Sequence, residues 1–203
     1  MNRWMRKGIH PALAGLLFFQ LAGCGKPSPP VTYYNLVPKE PALSTSAPTP
    51  SASLAVGVGP VSFPESLDRS QIAVRIDEQR LKFDEFHRWS GSLAEDFTKV
   101  FLEDLAARLP ETARLAIYPW GQFFQPTHRV KIDVRRFDGT PGGEAVLEAR
   151  WTVSDGEGKI LVGSRKSLIR TPAAGKEFLN LVTAQSESVA ELAREIALVL
   201  TVP

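Results

Sequence analysis

Between His128 and Arg170 two segments alternate apolar with polar residues and a further strand-like segment follows, all separated by short turns. In residues 128–137, Val130, Ile132 and Val134 alternate with Lys131, Asp133 and Arg135. In residues 144–154, Ala145, Leu147, Ala149, Trp151 and Val153 fall on every second position, and residues 159–170 form the third segment. A period of two places one face of each strand on a core and the other in water. The intervening turns, through Asp138, Gly139, Pro141 and Gly142 and through DGEG (155–158), have hairpin chemistry. The expected product is an antiparallel meander with one apolar face, and that face needs a cover.

Two amphipathic stretches supply it. Ser92 followed by Glu95 is a capping-box pattern, after which Leu93, Phe97, Val100, Phe101, Leu105 and Leu109 recur at helical spacing up to Pro110. Residues 176–199 repeat the pattern with Phe178, Val182, Val189, Ala193, Ile196 and, just beyond, Leu200 on one side. The predicted fold class is α/β in the α+β sense: a single mixed, largely antiparallel sheet covered by two main amphipathic helices. No internal repeat is evident.

The segments before the meander read as further strands. Residues 31–37 (VTYYNLV), 54–61, 71–77, 81–86 and 115–118 carry strand composition. In 54–61, Gly57 and Gly59 suggest close approach by another backbone. In 71–77, Ile72, Val74 and Ile76 are expected to share one face. Residues 64–70 read as a turn or single helical turn. Residues 38–53 are dominated by Pro, Ala, Ser and Thr and read as a mobile loop, too poor in apolar surface to offset its ordering entropy.

The chain begins with Arg3, Arg6 and Lys7, then an apolar run over 12–21, then Leu21, Ala22, Gly23 and Cys24. That is a secretory signal layout with small residues at the cleavage point. The apolar run is about half of the ~20 residues a membrane helix needs. LAGC resembles a bacterial lipobox, which implies removal of residues 1–23, a diacylglycerol on the Cys24 sulfur and an acyl chain such as palmitate on its new amino group. Three acyl chains, at ~0.8 kcal/mol per buried methylene, exceed what stable anchoring requires. The resemblance to lipoproteins also implies a destination: Gly25, in place of an Asp after the cysteine, favours the outer membrane, periplasmic face. The expected organisation is signal 1–23, lipidated cysteine and tether 24–30, and one domain over 31–203.

Cys24 is the only cysteine among 203 residues, so the domain is to be held by packing rather than by disulfides, even in an oxidising compartment. Residues 1–23 hold three basic and no acidic side chains, which turns the formal charge of +2 into −1. A near-neutral domain has no electrostatic footprint for nucleic acid.

Enzymatic signals are missing: no GxSxG elbow, no HExxH and no free cysteine once Cys24 is acylated. Glu95 with Asp96, and Glu103 with Asp104, are neighbours along a helix and read as solvated faces. His87 and His128 lack a third ligand for a metal, and DGEG lacks the regular acidic ligands of a calcium loop. No metal site is expected, and no cofactor beyond the covalent lipid.

Several blocks together resemble the ABC-type transport auxiliary lipoproteins, the PqiC-like or YmbA-like proteins. They are YYNL (33–36), GPVSFPESLDRSQIAVR (59–75), FHRW (86–89), YPW (118–120), RVKIDVRRFDG (129–139) and LEARW (147–151), in order along the chain. The resemblance implies a non-enzymatic accessory working beside an inner-membrane permease and a periplasmic MCE-domain protein in phospholipid traffic. Its implied partners are that MCE protein, the outer membrane and phospholipid, with a homo-oligomer matching a multimeric conduit as a further expectation. A lipoprotein that braces or plugs an outer-membrane assembly protein is the alternative.

Two groups are candidate contact sites. Asp68 and Arg69 with His87, Arg88 and Trp89 form the densest polar and aromatic group; they either recognise a partner, or Asp68 and Arg69 pair or cap a turn while Trp89 fills the core beside Phe86. Trp120, Phe123 and Phe124, in the loop WGQFFQP (120–126), either contact lipid or the MCE partner or plug one sheet end.

Overall fold

A computed structural model describes residues 28–39 and 54–201. Cys24 with its lipobox, and most of the Pro/Ser/Ala loop, lie outside the described residues. In chain order the elements are β1 (Thr32–Tyr34), β2 (Ala55–Ser62), a 3₁₀ turn (Glu65–Leu67), β3 (Gln71–Arg75), β4 (Leu81–Trp89), α1 (Leu93–Ala106), β5 (Arg114–Ile117), β6 (His128–Gly139), β7 (Glu144–Asp155), β8 (Ile160–Pro172) and α2 (Phe178–Leu200). Eight strands join one mixed sheet.

The meander is present: β6 pairs antiparallel with β7, and β7 with β8. The free edge of β6 is shared. Its first half pairs in parallel with β2, which pairs in parallel with β5, while Gly139 at its end meets Val74 of β3. The sheet therefore has two arms on that side, β2–β5 and β3–β4–β1, with β1 parallel to β4.

Both helices cover one face. Val130, Ile132 and Val134 of β6 and Ala145, Leu147, Ala149, Trp151 and Val153 of β7 are buried there with the stripe of α1 that the spacing predicts. After Val134 the next core residue of β6 is Phe137, three positions on. A register shift between Val134 and Arg136 inserts one extra residue and returns Phe137 to the helix side. Phe137 then meets Phe97 edge to face at 5.6 Å and Phe63 at 6.3 Å. Edge-to-face pairs contribute about 0.5–1.5 kcal/mol beyond area burial.

Sequence places the helix starts well. The Ser92 hydroxyl accepts from the Glu95 N–H at 3.3 Å, the backbone half of the capping box. Trp151 donates its indole N–H to Ser167 at 2.9 Å, and Ser167 donates on to Glu195 of α2, so a buried polar relay ties helix to sheet.

Four expectations are corrected. Ile76 is 52% exposed because β3 ends at Arg75, and the chain turns to let the Ile76 N–H bond the Arg80 carbonyl. The first strand is Thr32–Tyr34 only. The close neighbour of Gly57 is an indole ring rather than a backbone: a Cβ there would lie 2.6 Å from Trp120. Asp96 and Asp104 do not form a simple solvated face: Asp96 is half-buried and Asp104 buried. Asp96 accepts the Leu36 N–H at 2.7 Å, and Asp104, fully buried, accepts the Lys39 N–H at 2.8 Å.

Candidate functional site

In β4, five positions from Phe83 to Arg88 stand against two in β3, from Ala73 to Gln71. The excess is a bulge organised by Asp84. Its Oδ1 accepts the N–H groups of Phe86 and His87 at 3.0 and 3.1 Å and lies 2.8 Å from His87 Nδ1. Burial opposes ionisation of Asp84, yet the bonds from His87 and the Phe86 N–H, with the charges of His87 and Lys82, hold its carboxyl below the usual range. The His87 ring stacks on Phe178 at the start of α2, with centroids 3.7 Å apart. Burial, with Glu177 and Asp84 nearby, pushes the Tyr34 hydroxyl up.

Arg88 turns back to the carbonyl and carboxylate of Glu85 at 3.0 and 3.1 Å. Trp89 is 4% exposed; its ring neighbour in the core is Phe137, 6.4 Å away, in place of the expected Phe86, which is exposed. Asp68 ends the 3₁₀ turn, its N–H bonded to the Glu65 carbonyl. Arg69 does not pair with Asp68; its guanidinium lies 4.0 Å above the Phe83 ring. Phe83 thus brings Arg69 up to the Asp84 bulge, so the two sequence blocks meet.

The aromatic loop lies on the other arm, where β5 ends and β6 begins. Trp120 sits over Gly57, with Tyr118 at 5.4 Å, Phe124 at 6.3 Å and the Arg129 guanidinium 5.7 Å from its ring. Trp120 and Phe124 are half-buried and Pro126 is buried, whereas Phe123 is 90% exposed. Trp120 and Phe124 therefore plug the sheet end while Phe123 stands free of it.

Sequence reasoning missed a strap. Residues 35–39 cross the helix layer with Leu36 buried and with the Leu36, Val37 and Lys39 N–H groups accepted by Asp96 of α1, Ser186 of α2 and Asp104 of α1. The half-buried Asp96 and buried Asp104 were its only signal, and they resemble ordinary surface carboxylates in a linear sequence.

Three cavities surround the first turn of α1. One of about 310 Å³ is lined by Val58, Pro60, Val61, Ala94, Ile117 and Tyr118, and its neighbours of about 490 and 240 Å³ share Glu95 with it. Among the described residues no group of three His, Cys, Asp or Glu side chains is placed to hold a metal ion. Among them, too, no helix is long and apolar enough to cross a membrane.

The fold has known counterparts. The crystal structure of an uncharacterized protein is 16% identical, with 85% of this chain and 100% of that chain covered at a TM-score of 0.70. Protein XCC0632 from Xanthomonas campestris is also 16% identical, with 82% and 92% covered at a TM-score of 0.61. At such identities the likeness establishes the fold. A comparison with curated protein sequences finds no match. The family model for the ABC-type transport auxiliary lipoprotein component matches residues 34–197, from the last residue of β1 to near the end of α2, and the chain belongs to that family of auxiliary lipoproteins of transport.

Proposed function

We propose that this protein is a non-enzymatic accessory of an ABC/MCE-type intermembrane lipid transport system, anchored through the lipid on Cys24 to the periplasmic face of the outer membrane, where it docks the periplasmic MCE conduit. The observation that carries this reading is the family match over residues 34–197 beginning ten residues after the lipobox cysteine. A tether of seven residues from Cys24 to Val31 reaches at most about 25 Å, which keeps the domain beside the bilayer. Anchoring raises the local concentration of a docked partner without a strong binary contact. Phe123 and the block around His87 are the contact residues of this reading, phospholipid is the cargo, and several copies would match a multimeric conduit.

Mild crosslinking in cells carrying the tagged full-length protein, followed by purification from outer-membrane fractions, tests it. Recovery of an MCE-domain protein, lost on Cys24→Ala, is the expected result. Recovery of an outer-membrane barrel alone, or of the same MCE protein without the anchor, overturns it.

A further inference from the structure

The face of β6, β7 and β8 turned away from the two helices is open to solvent, and its charge is one-sided. Four acidic side chains lie on it, and each has a base. Arg135 pairs with Asp133 at 2.7 Å, Lys166 with Glu148 at 2.8 Å, Arg170 with Glu144, and both Arg136 and Arg75 with Asp138. Lys131 and Arg150 are exposed on the same face and, among the described residues, have no acidic partner. Seven basic groups against four acidic ones leave a surplus of three positive charges.

The strand registers make these residues one surface. Alternation points Lys131, Asp133 and Arg135 away from the side of buried Val130, Ile132 and Val134, and Glu148 and Arg150 away from that of Leu147, Ala149 and Trp151. Across the strands, Asp133 is level with Arg150 and Arg150 with Lys166, while Arg136 is level with Glu148 and Glu148 with exposed Leu168. From Lys131 to Asp138 the array runs roughly 24 Å along the strands. The helix layer has the opposite sign: α1 holds four acidic side chains and one basic, α2 three and one. A chain that is near neutral once residues 1–23 are removed thus divides into a basic sheet face and an acidic helix side.

From this we infer that the open face of β6, β7 and β8 docks onto the anionic phospholipid headgroups of the membrane that carries the anchor, with the helices turned to the aqueous side. The bases are spread over a sheet surface rather than converging on a point, which suits a plane of headgroups better than a single anion. Exposed Leu168, between Lys166 and Arg170 on that face, adds an apolar side chain of the kind that enters the headgroup layer beside basic residues. A bilayer with anionic lipid has a negative surface potential that attracts such bases within about one Debye length, ~8 Å at physiological salt. The acidic helix side is repelled by the same potential, so charge decides which side comes down. The inference rests on the lipidated Cys24 of the anchored reading, which holds the domain at the surface so that a weak contact is enough; the MCE conduit plays no part in it.

The test uses the lipidated protein reconstituted into vesicles of phosphatidylcholine alone or with phosphatidylglycerol. With Cys24 acylated, Leu168→Cys on the sheet face or, for comparison, Leu198→Cys on α2 gives a single free thiol for an environment-sensitive fluorophore. Phosphatidylglycerol should shift the emission at 168 to the blue and leave 198 unchanged, and high salt should reverse the shift. Lys131→Ala with Arg150→Ala should lower the ratio of docked to undocked protein about fivefold per base removed, with an unchanged melting temperature. A label at 168 that responds equally in both kinds of vesicle, or a response at 198 instead, overturns the inference. A photo-crosslinking amino acid at position 168 in cells separates the occupants: adducts with phospholipid are expected, and adducts with protein alone overturn it. If mass spectrometry finds Cys24 without acyl chains, this inference and the anchored reading fall together. If Cys24 is lipidated and 168 stays exposed on anionic vesicles, only the face assignment fails. Failure to recover an MCE-domain protein removes the accessory reading and leaves this inference standing.

Discussion

Trp120 fills the space that a side chain at position 57 would need, so Gly57 and Trp120 are one feature read from two places in the chain. Gly57→Val should displace the indole and lower the melting temperature, an overpacking cost of about 1–3 kcal/mol. The same arrangement separates neighbours in the loop. Phe124→Asp, which loses contact with Trp120 and the Arg114 guanidinium, should lower the melting temperature, and Phe123→Asp should leave it unchanged; differential scanning calorimetry of both distinguishes plug from contact residue. Asp84 gives a pH signature. Its carboxyl is held lower in the folded chain than in the unfolded one, so its contribution is complete above the ordinary Asp value of about 3.9 and is lost as pH falls through the folded value. Asp84→Asn should therefore flatten the loss of stability between about pH 5 and pH 3, measured as urea midpoints.

At the scale of elements, α1 does more than cover the sheet. Asp96 and Asp104 turn it into a rail for the strap of residues 35–39. Asp104→Ala leaves the Lys39 N–H without that acceptor, and a cost of about 1–3 kcal/mol is expected. Hydrogen exchange should show faster exchange at Leu36 and Lys39 while β6 and β7 stay protected. The relay from Trp151 through Ser167 to Glu195 makes a parallel case for α2. Ser167→Ala strands a buried indole N–H, again about 1–3 kcal/mol, detectable in the urea midpoint and in Trp fluorescence. Helices and meander were legible beforehand because their apolar positions repeat at 3.6 and 2, and those periods are local. The bulges at Arg135 and Asp84 were less legible: each adds residues on one strand only, a defect defined by its partner.

For the whole molecule, packing alone secures the domain, since Cys24 is the sole cysteine and belongs to the anchor reading. A Cys24→Ala protein lacking residues 1–23 should melt at the same temperature as the lipidated protein in detergent, because the buried cluster draws on residues from Leu36 onward. A large difference between the two would mean that the lipid supports the fold.

By itself the sequence determined the lipobox layout, the absence of disulfides within the domain, the two helical stripes and the alternating strands, because each depends on residues within a few positions of one another. Even Ser92 was identifiable as a cap from the Glu95 three residues on. Only the tertiary structure decided that β2 and β3 share one edge of β6, that Arg75 and Arg136 close on the buried Asp138, and that the aromatic loop meets the β7–β8 hairpin. Apart from the neighbouring Arg136 and Asp138, those pairings join residues about 30 to 70 positions apart. Their register is set by which faces must be buried together, a constraint that no single segment carries.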